Sequence, residues 1–406
     1  MIRLIRFSDM GRWKRTGKWT LVYGRRKTGK TFFIKNFLHW DRYFFVGRSG
    51  EVFDNDERIS YDVFLREITN SLKNGRKIVV DEIQRLPEEF FDRLHSLGIT
   101  GRLIAISSTL WLARKLIGER SPLLGLFSEF EMGLMDERDI VRNLSSHIRD
   151  RKKLVEFSVY LREPWLVPLW ESTQENFIDS IPSNIRITVP ALIGEIFSEE
   201  RRELTSIYEG VLKSVADGKR ISGEIANSLF ALHLIPTQNP SLIHPYLKIL
   251  KEIGILEKVK IWGKNRYQYY LSSPVMDLFF YLDAKYGITE RGVSEEQMKE
   301  VMRRKLPLHV EQFFGDLLSK VFGLWKERIV EKDYEVDIAL TDFRKLKVVS
   351  EVKWKELREA ELKRIENVLN RFDCKRILIV PRRDAVRDLE GIEVWDINTI
   401  LNKISS

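Results

Sequence analysis

Leu21-Val22-Tyr23 runs into Gly24-Arg25-Arg26-Lys27-Thr28-Gly29-Lys30-Thr31, and Phe32-Phe33-Ile34-Lys35-Asn36-Phe37 follows. An apolar strand end, a glycine-spaced loop and an apolar-rich helix start stand in that order. The loop fits G-x-x-x-x-G-K-[ST] in the setting that this spacing requires. Its glycines let the backbone curl so that N–H groups point at anionic oxygens, and the helix start adds a favourable dipole. A surface turn rich in glycine and lysine would share the composition but not the flanking strand and helix.

Outward from this loop, Lys77-Ile78-Val79-Val80-Asp81-Glu82 is an apolar strand ending in two acids. A solvated acid pair capping a strand is the plain reading; beside a phosphate-binding loop the pair gains a chemical one. Lys30 would reach the outer phosphates of ATP, while Thr31 and Asp81 would hold magnesium. Glu82 would orient and polarise an attacking water, a general-base role. A third strand, Arg102–Ile106, ends in Ser107-Ser108-Thr109. A hydroxyl there, Ser107 first, would touch the terminal phosphate or the water, although such residues also open helices.

Apolar runs at Trp19–Tyr23, Tyr43–Val46, Ile78–Val80 and Leu103–Ile106 alternate with amphipathic segments. That alternation predicts an α/β class with a parallel, doubly wound sheet over residues 1–133. Residues 134–198 read as mainly helical, with a Pro/Trp-rich stretch at Glu163–Trp170. Residues 199–290 read helix, helix, helix, hairpin. Residues 295–406 begin with a helix, turn to β pattern and end mixed. The charged stretch Thr289–Lys305 reads as the connection between the last two sections.

The net charge is +9 over 406 residues, yet residues 1–30 hold ten Lys/Arg against Asp9 alone. The excess therefore surrounds the phosphate loop and the remainder is balanced, so a nucleic-acid partner does not follow from charge by itself. A single cysteine, Cys374, excludes an intrachain disulfide and a cysteine-rich zinc site. The histidines form no HExxH or His/Cys cluster. No apolar run reaches the roughly 18 residues that cross a bilayer, and no signal-type segment opens the chain, so a cytoplasmic location away from membranes is expected.

Arg220-Ile221-Ser222-Gly223-Glu224-Ile225-Ala226-Asn227 has helix-turn-helix character, with an apolar face at Ile225, Ala226 and Leu229. A second helix starts at Pro245, which suits a first helical position, and stops at Gly254. Leu256–Tyr270 alternates around Gly263-Lys264-Asn265 as a hairpin, the wing of a winged helix. His244, Lys248 and Lys251 would face a DNA groove, and Lys258, Lys260, Lys264 and Arg266 would meet phosphates. The same residues serve equally as the solvated surface of a module used for packing or protein contact.

In the tail, Tyr334–Leu340 alternates around Asp337, and Leu346–Lys353 places Glu351 and Lys353 on one strand face. A short turn at Thr341–Lys345 would make these adjacent hairpin strands. Asp337 and Glu351 would ligate magnesium, Lys353 would position or activate water, and Glu311 would add a ligand from an amphipathic helix. Helix Glu356–Asn370, strand Lys375–Pro381 and strand Val394–Asp396 complete the order. A solvated Glu-x-Lys pair on an edge strand, or the same arrangement kept for binding alone, are the competing readings.

These motifs carry a resemblance. GRRKTGKT and IVVDEIQRL look like archaeal and bacterial ATPases of the AAA+/STAND group that carry a nuclease-like C-terminal domain. The D…E-x-K arrangement resembles the PD-(D/E)XK nuclease fold. Together they imply a P-loop NTPase core, a helical lid, a winged helix and a restriction-endonuclease-like α/β tail. Two departures stand out. The family tends to have Gly-x-Pro in the lid, where this chain has Arg162-Glu163-Pro164. Relatives often carry an arginine after Pro-Leu-x-Gly; here Leu126 follows Pro122-Leu123-Leu124-Gly125, leaving Arg120 as the substitute candidate. The resemblance implies an ATPase acting on DNA with a metal-dependent nuclease tail. The alternative is an ATP-driven regulator or scaffold whose tail binds without cutting. A homo-oligomer or a protein partner is compatible with both.

Overall fold

The computed structural model describes residues 2–110 and 123–405. The N-terminal section comprises α1 (Phe7–Trp13), β1 (Trp19–Tyr23), α2 (Lys30–Phe37), β2 (Arg42–Val46), β3 (Val52–Asp54), β4 (Glu57–Ile59), α3 (Tyr61–Lys73), β5 (Lys77–Asp81), α4 (Glu88–Leu97), β6 (Arg102–Ser107) and β7 (Ser128–Glu131). These strands form a seven-stranded sheet in the order β4-β3-β2-β5-β6-β1-β7. Its five strands from β2 to β7 are parallel, and β3 and β4 add an antiparallel hairpin at one edge. Helices cover both faces, so β1 and β5 are buried along nearly their whole length rather than alternating. One face packs Trp19, Leu21, Phe44, Phe64 and Val80; the other packs Val22, Phe33, Ile34, Val79 and Phe130.

A helical section follows, with α5 (Glu137–Leu144), α6 (Arg151–Leu161), α7 (Val167–Thr173) and α8 (Phe177–Glu199). Next come α9 (Ser206–Ala216), α10 (Ser222–Ala231), α11 (His244–Glu252), the hairpin β8 (Leu256–Ile261) and β9 (Tyr267–Leu271), and α12 (Pro274–Tyr286). The long α13 (Glu295–Phe322) leads to β10 (Trp325–Val330), β11 (Glu335–Asp342), β12 (Lys345–Val352), α14 (Glu359–Leu369), β13 (Lys375–Ile379), β14 (Glu393–Trp395) and α15 (Ile397–Ser405). Most of Thr289–Lys305, expected as a connection, is thus helix. Ser294 caps it, accepting from Gln297 N while the Gln297 side chain answers back.

The hairpin β8–β9 does not stand free. It joins the tail strands in one seven-stranded sheet, β14-β13-β12-β11-β10-β8-β9. The joint is a parallel pairing of β10 with β8, Glu327 opposite Lys260 and Arg328 opposite Ile261, extended by Trp262 N donating to Arg328 O at 2.8 Å. The packing is continuous as well: one apolar cluster runs from Leu4 through Tyr160, Ile193 and Leu250 to Phe313 and Ile400. The limits at residues 198 and 290 fall at or between helix ends, and the apolar cluster runs across both.

Candidate functional site

The phosphate-loop site forms where β1, β5 and β6 end. Gly24 has φ 147°, and a Cβ there would stand 2.2 Å from the Met132 carbonyl oxygen, so the loop needs glycine at that point. Gly29, at φ 89°, turns the chain into α2. Lys30 is buried and donates to the carbonyl oxygens of Gly24 (2.8 Å) and Arg25 (2.9 Å). Burial pushes its ammonium down to about 8, against the pull of Glu82, Asp81 and Glu199. Thr31 Oγ1 donates to Asp81 Oδ2 at 2.7 Å, and the Tyr43 hydroxyl donates to the same oxygen at 2.5 Å. Burial raises the Asp81 carboxyl despite these bonds.

Glu82 follows the strand in a left-handed conformation, φ 60°. Ser108 Oγ lies 3.0 Å from each of its carboxylate oxygens, and Gln84 Nε2 donates to Oε2 at 2.5 Å. The hydroxyl at the third strand end is therefore Ser108, not Ser107. Ser107 is fully buried, its Oγ accepting from Thr109 N at 3.1 Å, because it closes β6 and turns back onto its own chain. Arg120 lies outside the described residues.

Lys30, Thr31, Glu82 and Ser108 line a cavity of about 580 Å³. Its other side is apolar, with Leu4, Phe37, Trp165 and Val167 among the lining residues. Charge at one end and apolar surface at the other is the form of a nucleotide site. The arginines of the loop divide. Arg25 makes a two-pronged pair with the fully buried Glu163, 2.6 and 2.7 Å, which Trp165 Nε1 also approaches at 3.0 Å. Pro164 packs beside Gly29, so the Arg-Glu-Pro of the helical section touches the loop through its proline and its acid. Arg26 faces the cavity and Lys27 is exposed, while Thr28 folds its hydroxyl onto the Arg25 carbonyl.

The second candidate site lies on β11 and β12. Lys353 pairs with Asp337 at 3.1 Å and with Glu351. Val352 N donates to Asp337 Oδ2 at 2.9 Å. Burial, then repulsion from Asp337, pushes Glu351 up to about 8 and Glu311 up to about 7. Arg328, which the sequence analysis did not mark, stands between acids: Nη1 is 2.5 Å from Glu311 and Nη2 3.6 Å from Asp337. It also reaches the Tyr270 hydroxyl of β9 at 2.9 Å, which joins the wing to this site. A cavity of about 550 Å³ opens beside Asp337, Glu351 and Lys353, rimmed by Lys355 and Arg364.

A buried carboxylate and a half-buried one that repel each other, with a lysine beside them, are donors that a divalent cation relieves, so Asp337 and Glu351 fit one. Among the described residues no three His, Cys, Asp or Glu stand together as a ready metal site. The Glu311 carboxylate is taken by Arg328 and does not complete a three-acid set with the other two.

The third region is a groove of about 850 Å³ between α11 and the wing, lined by His244, Lys248, Lys251, Lys258, Arg266 and Tyr267 among others. Lys248, Lys251, Lys258 and Arg266 are exposed. Lys260 and Lys264 belong elsewhere. Lys260 pairs with Glu327 at 3.6 Å, and Lys264 reaches Glu331 at 2.9 Å and the Val330 carbonyl. The β8–β10 joint gives both a partner in or beside β10.

No family model matches this chain. It is 24% identical over 397 residues to an uncharacterized protein of Methanocaldococcus jannaschii, covering 86% of each. Among solved structures, it is similar to the Walker-type ATPase of Pyrococcus abyssi, with a TM-score of 0.48 and 15% identity over 68% of this chain and 96% of that one. An Aeropyrum pernix ORC2 protein, solved as ADPNP–ADP complexes, overlays with a TM-score of 0.38 at 13% identity, over 71% and 88% of the two chains. Overlays this loose leave the functional argument with the site itself. Among the described residues no helix is long and apolar enough to cross a membrane.

Proposed function

We propose that this chain is a magnesium-dependent ATPase acting on DNA, with a metal-dependent nuclease site in its tail. The observation that carries the first part is the convergence of Lys30, Thr31 and Glu82 on one partly apolar cavity, with Asp81 bonded to Thr31 beside it. Lys30 would give up its two loop carbonyls for phosphate oxygens. A triphosphate there compensates the buried ammonium that desolvation now penalises. Thr31 and Asp81, already bonded to each other, would hold magnesium, which when bound neutralises charge on the outer phosphates. Glu82, with Ser108 beside it, would orient water and take its proton.

For the tail, Asp337 and Glu351 would hold the cation, which supplies charge stabilisation to a phosphodiester. Lys353 would orient water at their edge. Lys248, Lys251, Lys258 and Arg266 would meet the DNA backbone in the α11–wing groove. The test is phosphate release from ATP, together with a metal-titrated cleavage assay on duplex, single-stranded and branched DNA, with and without ATP. Magnesium-dependent turnover and cleavage support the reading. ATP turnover with no cleavage under any metal would leave an ATP-driven binding switch, and no turnover would end the ATPase assignment.

A further inference from the structure

Arg26 stands apart from its neighbours in the loop. Arg25 is locked to Glu163; Arg26 lines the cavity with Lys30 and Glu82, as does Lys27, which is the more exposed of the two. Its Nη1 lies 3.9 Å from Glu82 Oε1. Two carboxylates from the last turns of α8 hold it: Glu195 at 2.6 Å and Glu199 at 2.5 Å. Glu195 and Glu199 are four residues apart, so they share one helix face. Arg85 reaches Glu199 at 3.1 Å and Glu82 at 3.7 Å, while its other arm donates to the Val46 carbonyl. Arg48 also pairs with Glu195, at 2.7 Å. Glu199 thus has a second cation in Arg85, and Glu195 has one in Arg48. Both acids keep a partner if Arg26 leaves.

We propose that Arg26 is the arginine of this ATPase in cis, delivering its charge to the terminal phosphate, and that Glu195 and Glu199 hold it until a triphosphate replaces them. This rests on the ATPase reading above. In the reaction, the water oxygen bonds to the terminal phosphorus as the bond to the bridging oxygen breaks. The electron pair leaves with the diphosphate, and the water proton passes to Glu82. Charge grows on the terminal and bridging oxygens, and a guanidinium suits it because its planar fork meets two oxygens at once. Glu82 and Arg26 face the same space, so the proton acceptor and the charge donor are set by one chain. No second subunit is required to complete the site.

The experiment measures magnesium-ATP turnover of the full chain alongside the affinity for a fluorescent, non-hydrolysable ATP analogue. Arg26→Ala should lower kcat by on the order of a thousandfold, as loss of an arginine finger does, while analogue affinity moves only a few-fold. Arg26→Lys keeps charge and fold but should recover little of kcat, since lysine lacks the fork. Glu199→Gln should tighten analogue binding, because the competitor for Arg26 is weaker; unchanged or weaker affinity in that variant would count against the exchange. Turnover per molecule should hold on dilution over roughly two orders of magnitude, as a site complete in one chain requires. Wild-type kcat in Arg26→Ala, or turnover per molecule that falls with dilution, overturns the proposal with the ATPase reading intact. Tight analogue binding with no wild-type turnover overturns both.

Discussion

The two acid-bearing sites of this chain are built alike and finished differently. Each sets carboxylates at the ends of buried strands with a lysine beside them: Asp81 and Glu82 with Lys30, Asp337 and Glu351 with Lys353. In the first, Lys30 is spent on backbone carbonyls and Asp81 on hydroxyls, while Glu82 bonds to Ser108 and Gln84 with Arg26 and Arg85 at 3.9 and 3.7 Å, so Lys30 stays apart from the acids around an open cavity. In the second, Lys353 and Arg328 pair directly with the acids. On the proposed reading, the first site would take an anion without breaking an ion pair of Lys30. The second satisfies itself, and a substrate must displace what it already holds. Charge kept apart costs stability when empty and is recovered on binding.

The largest expected effect falls on the first site. Glu82→Gln should cut ATP turnover by ~10²–10⁴-fold while analogue affinity stays near wild type, since only proton acceptance is lost. Unchanged turnover in that variant would refute the Glu82 assignment and blur the contrast. At the second site, Asp337→Ala and Lys353→Ala should each reduce metal-dependent DNA cleavage by on the order of a hundredfold or more and spare ATP turnover. Cleavage surviving in both places the activity elsewhere.

Stability offers a third lever. Arg25→Ala leaves the Glu163 carboxylate buried without its main partner, and urea unfolding should show a loss of ~3–5 kcal/mol. A loss near zero would mean that the loop is not anchored to the helical section through this pair. On the DNA side, Lys248→Ala and Lys251→Ala should weaken binding a few-fold and lower the salt dependence by ~1 ion per lost contact, whereas Lys260→Ala should leave both unchanged.

The smallest effect concerns the junction between the two halves. His309 is buried, bonded through Nε2 to Asp277 at 2.8 Å and through Nδ1 to the Tyr160 hydroxyl at 2.7 Å, with Lys305 on the same aspartate and Arg220 facing it. Burial, then the nearby cations, hold its pKa below the usual 6.5 despite the aspartate. As pH falls through about 6.5, the unfolded chain binds a proton that the folded chain resists, so stability falls. Thermal melts between about pH 7 and pH 5 should show that decline, and His309→Gln should flatten it. An unchanged slope would mean that His309 charges freely in the fold.

Much of the first site was legible because its signals are local. Tyr23 and the glycine-spaced loop are contiguous in sequence, Asp81-Glu82 ends a separate apolar strand, and the structure brings the two together. Ser108 was missed for Ser107 because one residue of register at a strand end decides which hydroxyl faces out. β4 is exposed and β7 buries only Phe130, so neither shows an apolar run. Glu195, Glu199 and Glu163 reach the loop from far along the chain, and nothing in local spacing announces them. In the tail, β11, β12 and the short turn were readable from alternation. β10, with Lys326, Glu327 and Arg328 in succession, hid both its strand character and the arginine between the acids.

The β8–β10 joint has a geometric consequence. Strands that share backbone hydrogen bonds move as one plate, so α11, packed on β8, and Lys353, two strands beyond β10, keep a fixed bearing to each other. A duplex gripped in the α11 groove would meet the tail at a set offset from the grip. On the proposed reading the joint would act as a ruler, setting position along the nucleic acid from the point of grip, whatever the sequence in between.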